Sequence, residues 1–183
     1  MKRLAVLAAI VFAVAPHTTS AQMQQPYAGF DARPIKALSD QQVADLRAGR
    51  GMGLALAAEL NGYPGPTHVL ELAESLGLSE MQRTKMQELF AAMKVETVPL
   101  GEKLIAEETD LDRQFASKAI TEAKLVAAMQ AIGSTQAALR AAHLKYHLAT
   151  AELLAPMQIQ RYAELRGYTS GQQIRHQPGG HRH

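Results

Sequence analysis

The chain has 183 residues, a formal net charge of +2, no cysteine and no tryptophan. That length permits one domain with a sizeable core, and the lack of cysteine excludes disulfides, thiol catalysis and haem attached through Cys-x-x-Cys-His. The basic residues are dispersed and balanced by acids, which argues against a nucleic-acid partner.

Lys2 and Arg3 precede an apolar run from Leu4 to Ala15, and Thr19-Ser20-Ala21 follows as a small-residue cleavage site. This is the pattern of a secretory signal peptide over residues 1–21, with cleavage expected after Ala21. Loss of Lys2 and Arg3 lowers the 19 basic residues to 17, equal to the 17 acidic ones, so the exported chain is formally neutral. No later stretch is apolar enough to span a bilayer. The expectation is an exported, periplasmic protein without stable membrane insertion.

Ala, Leu, Met, Gln and Glu dominate the rest, and no segment alternates β-branched with polar residues, so the predicted fold class is all-α. Residues 22–37, with Pro26, Gly29 and Pro34, read as a flexible leader before a helical domain over residues 38–168. Leu38-Ser39-Asp40-Gln41-Gln42 opens the first helix: Ser39 can cap it, Gln42 can reach back, and Leu38 can staple onto Val43. Gly49, Gly51 and Gly53 interrupt the pattern before a second apolar stretch, Leu54 to Leu60. No strand precedes these glycines, so they predict a bend or a close helix contact rather than a phosphate loop.

Asn61-Gly62-Tyr63-Pro64-Gly65-Pro66 is a break, and a short helix from Thr67 to Leu76 follows, with His68 in its first turn. Leu78-Ser79-Glu80-Met81-Gln82 repeats the capping signal and starts a helix reaching about Phe115. Its predicted inward stripe is Met86, Phe90, Met93, Thr97, Leu100, Leu104, Glu108, Leu111 and Phe115; Pro99 in the middle predicts a kink. After a turn at residues 116–121, Glu122 to Leu153 forms the second long helix, and Pro156 to Leu165 the last one, stopped by Gly167. Residues 169–183 are polar, carry His176, His181 and His183, and read as a disordered tail.

The second long helix carries the chemistry. Its predicted apolar stripe is Leu125, Met129, Ile132, Leu139, His143, Tyr146 and Leu154. His143 and His147, four residues apart, stack on one face and point inward. Two buried imidazoles are either core residues satisfied by polar neighbours or a two-point clamp for a divalent metal. With the long helices folding back near residue 118, His143 is level with about residue 94 and His147 with about residue 90. Counting from the turn near Leu78 puts His68 level with about residue 88. Three histidines thus share one height, with Glu96 and Met93 the nearest further ligands. The expected metal set is His68, Glu96, His143 and His147. Glu108 is on the order of 20 Å from His143 in a simple hairpin and reaches it only across a dimer.

Enzyme readings fail on spacing. Leu144, not Glu, follows His143, so the zincin general base is missing. Arg140 and Leu144 stand where a di-iron bundle needs glutamates. No Ser nucleophile has a recognisable setting.

The boxes Leu78-Ser79-Glu80-Met81-Gln82 and Leu154-Ala155-Pro156-Met157-Gln158, with Leu38-Ser39-Asp40-Gln41-Gln42 as a possible third, resemble the Leu-Thr-x-x-Gln motifs of the Spy/CpxP family of periplasmic proteins, over residues 67–168. Ala155 departs from the motif, because it cannot cap. The resemblance implies a long, bent antiparallel helical hairpin wrapped by shorter helices, usually dimeric. It implies a heavy-metal sensor or zinc-resistance protein that builds its site from histidines and an acid, or an envelope-stress regulator, with an envelope sensor protein as partner; His143 and His147 look like the family's helical pair, and imidazole suits Zn, Cu, Ni and Co alike. The alternative it implies is an ATP-independent chaperone that holds unfolded clients, with structural histidines.

Overall fold

A computed structural model describes residues 26–168; the proposed signal peptide, residues 22–25 of the leader and the tail lie outside the described residues. Six α-helices follow a 3-10 turn at Phe30–Ala32, and no strand occurs among the described residues. They are α1 (Asp40–Arg47), α2 (Leu56–Glu59), α3 (Pro66–Glu71), α4 (Glu80–Ala116), α5 (Glu122–Leu153) and α6 (Pro156–Leu165). The all-α expectation holds. None of the described helices is long and apolar enough to cross a membrane.

The helix starts follow from local chemistry. Ser39 and Ser79 accept from the backbone N–H of Gln42 and Gln82, and both glutamines accept from the cap N–H in return. Thr121 caps α5 through the Lys124 N–H. At α6 only half of this device exists: the Ala155 N–H donates to Gln158 Oε1 at 2.9 Å, but Ala155 has no oxygen to accept. Pro156, whose missing N–H is no loss in a first turn, starts the helix regardless.

α4 and α5 form the hairpin. Contacts climb one helix as they descend the other: Thr135 donates to Glu107 at 3.1 Å, Tyr146 to Glu96 at 2.8 Å, and Thr150 meets the Met86 sulfur at 3.7 Å. α4 runs unbroken through Pro99. α1 and α3 pack on α4, and α2 and α3 on α5. The two capping-box glutamines meet at the open end of the hairpin. Gln82 Nε2 donates to Gln158 Oε1 at 2.9 Å, and Gln158 Nε2 donates back at 3.1 Å.

Two apolar clusters hold the fold. Val69, Ala73, Leu76, Leu78, Met86, Leu154 and Tyr162 form one at the open end. Ile35, Leu46, Leu104, Ile105, Ile132 and Leu139 form the other, further along the hairpin. Ile35, within the stretch read as leader, is thus a core residue; a lone isoleucine between prolines and glycines carries no periodicity to announce its burial. Phe115, Leu125 and Met129, placed in the inward stripes by periodicity, are exposed. Two helices alone cannot cover an apolar stripe as wide as a layered domain does.

Candidate functional site

Between the two clusters the hairpin buries polar residues: Thr97 on α4, and His143 and His147 on α5. His143 and His147 retain 3% and 8% of their exposure. Both glycine-bearing loops lie against these rings. A Cβ on Gly51 would stand 3.5 Å from His143 Nδ1, and one on Gly65 would stand 2.7 Å from His147 Cε1. Gly49 makes the expected close helix contact, with a φ of +66° and room for no side chain beside Thr97.

The hydrogen bonds assign the protons. His147 Nδ1 lies 2.7 Å from the Tyr63 carbonyl, which can only accept, so Nδ1 carries a proton and any lone pair the ring offers is at Nε2. His68 Nδ1 lies 2.8 Å from Glu71 Oε2 and donates in the same way. Such outward Nδ1–H partners are what orients an imidazole to present Nε2 to a metal. His143 Nε2 is buried without a partner. Burial, and then the neighbouring His147, push the His143 pKa below the ordinary histidine value, which keeps the ring neutral.

His68, His143 and His147 line one cavity of about 650 Å3, together with Met93 and Phe90. The three histidines expected at a common height therefore share a space. His68 sits at its rim, with a side chain 40% exposed. In the conformation described, no three His, Asp or Glu side chains among the described residues are gathered tightly enough to hold an ion.

Glu96, expected as the fourth ligand, does not line this cavity. Its Oε1 accepts from Lys145 Nζ at 2.6 Å and from the Tyr146 hydroxyl at 2.8 Å. The Lys145 bond, and then the Tyr146 bond, hold its carboxyl below the usual range. Burial and this carboxylate push Tyr146 up to about 12. Counting residues from a turn sets height along a helix but not the side on which a residue faces, and Glu96 faces the flank. Glu108 is half-buried, and burial followed by its neighbour Glu107 raises its pKa.

The buried acid on the cavity wall is Glu59 of α2, 8% exposed; Asp45 and Glu71 also line the cavity and pair with Arg50 and His68. Its Oε1 accepts from the hydroxyls of Tyr162 and Tyr168, the latter at 3.0 Å, with Arg166 Nε at 3.7 Å. Burial and this bond push the Tyr162 hydroxyl pKa far up. Glu59 Oε2 lies 3.7 Å from His147 Nδ1 and has no hydrogen-bond partner. The sequence signal that could have found it is a lone acid in the apolar run Leu54-Ala55-Leu56-Ala57-Ala58-Glu59-Leu60. No protein-family model, no curated protein and no solved structure matches this chain.

Proposed function

We propose that this protein is exported to the periplasm and binds a divalent transition metal, Zn, Cu, Ni or Co, in heavy-metal sensing or resistance. His143 and His147 form the two-point clamp through Nε2, and His68 closes on the ion from the rim. Neutral imidazole suits each of these metals. The observation that carries the reading is the buried, unpartnered Nε2 of His143 in the same cavity as His147, whose Nδ1 proton is already committed to the Tyr63 carbonyl. A buried polar atom without a partner is rare, and a missing ion is one of its ordinary explanations. Export is supported by the Leu4–Ala15 run and the Thr19-Ser20-Ala21 site. The test is calorimetric zinc titration against a competing chelator, with His176, His181 and His183 replaced by Gln. One tight equivalent, lost in a His143→Ala, His147→Ala double variant, is expected; unchanged uptake by that variant removes the site.

The second reading, a holdase chaperone, draws on the exposed Phe115, Leu125, Val126 and Met129 near the hairpin turn. Exposed apolar surface is where a client would dock. Suppression of client aggregation that survives loss of both helical histidines would favour it.

A further inference from the structure

The Glu59 carboxylate is divided between two neighbourhoods. Oε1 has hydroxyl donors from Tyr162 on α6 and from Tyr168 just beyond it. Oε2 has none: the nearest ring nitrogen, His147 Nδ1, is 3.7 Å away, and its proton goes to Tyr63. Glu59 and His143, each more than nine-tenths buried, therefore each leave a polar atom unpartnered, and both residues line the same cavity. In its Nδ1–H tautomer, His143 Nε2 presents a lone pair, as Glu59 Oε2 does. Two such lone pairs in one cavity, neither with a proton donor within hydrogen-bond distance, are matched by a cation, and a buried carboxylate is costly to leave half-satisfied.

We propose that Glu59 is a joint between the histidine cavity and the C-terminal end of α6, so that cation binding at the imidazoles and docking of Tyr162 and Tyr168 reinforce each other. This rests on the metal-binding reading and adds its regulation. The two oxygens are separate atoms, so the tyrosines do not compete with the cation. By holding Oε1 they fix the carboxylate with its second oxygen on the cavity side. Loss of one tyrosine hydroxyl leaves Oε1 with a single hydroxyl donor, loosening the carboxylate and with it the placement of negative charge on the cation's side. Coupling is reciprocal: whatever docking contributes to cation affinity, the cation returns to docking. Tyr162 and Tyr168 are thus positioning residues that need not touch the ion. Arg166 Nε, 3.7 Å from Oε1 and 3.1 Å from the Tyr168 hydroxyl, belongs to the same clasp. Occupancy of the cavity is in this way transmitted to residues 162–168, at the C-terminal end of α6 and just beyond it.

The test uses the full chain with His176, His181 and His183 replaced by Gln, zinc and a competing chelator, and compares this otherwise unaltered protein with Glu59→Gln, Tyr168→Phe and the His143→Ala, His147→Ala double variant. Amide hydrogen exchange of residues 162–168 is followed with and without zinc, and circular dichroism confirms that each variant keeps its helices. Tyr168→Phe should weaken zinc binding roughly 5-fold or more, the lower end of measured site-to-site couplings, and Glu59→Gln by a larger factor. Zinc should slow exchange at residues 162–168 in the unaltered chain and leave it unchanged in Glu59→Gln. Unaltered affinity in both variants, or no zinc effect on exchange while the double variant loses uptake, overturns the coupling and leaves the histidine site standing. Full uptake by the double variant overturns the site itself and the coupling with it.

Discussion

The Leu46 carbonyl at the end of α1 rests directly on Gly101 of α4. A Cβ at Gly101 would lie 2.9 Å from the Leu46 carbonyl carbon and closer still to its oxygen. Backbone, unlike a flexible side-chain end, yields little, so this contact fixes how near α1 comes to the hairpin. Gly101→Ala should therefore cost about 1–3 kcal/mol, the range for overpacking. Gly133 in α5 has open space at the same position. Gly133→Ala should stabilise by about 0.5–1 kcal/mol through helix propensity alone. Urea unfolding of both variants checks the pair; equal effects would mean that the α1 contact is not tight.

At the start of α6, Ala155 holds the extended backbone of a cap, with φ −71° and ψ 151°, yet supplies no acceptor. Ala155→Ser adds the oxygen that Ser39 and Ser79 already provide at α1 and α4. A gain of about 0.5–2 kcal/mol is expected, read as a higher denaturant midpoint with an unchanged slope.

Metal-free stability should fall as pH drops through the mid-sixes. His143 is held neutral by burial, so its folded pKa is lower than in the unfolded chain. Below the unfolded value, near 6.5, the unfolded state binds more protons than the folded one, and stability declines with falling pH until the folded pKa is passed. A His143→Gln variant should lose this part of the pH dependence between pH 7 and 5. A thermal-melt series over that range decides it.

Zinc affinity should separate the acids. His143→Ala and His147→Ala should each weaken binding severely, and His68→Ala less, since that side chain has to move in from the rim. Glu96→Gln should leave the dissociation constant unchanged, because Lys145 and Tyr146 hold Glu96 away from the cavity wall. A large loss in Glu96→Gln would return this residue to the ligand set.

Helix positions were legible in the sequence because their signals are local. Ser39 with Gln42, Ser79 with Gln82, Thr121 and Pro156 each act within a single turn. The inward direction of His143 and His147 was legible for the same reason, since a spacing of four repeats one face. The shared height of His68 with that pair needed only residue counts from two turns. The tertiary structure alone decided the rest: that Glu96 turns to Lys145, that Glu59 and Ile35 are buried, and that Phe115, Leu125 and Met129 are not. Periodicity says which residues of a helix share a side. It does not say how far the covering helices extend, or which lone acid the tyrosines at the chain's far end cover, because those depend on contacts between segments distant along the chain.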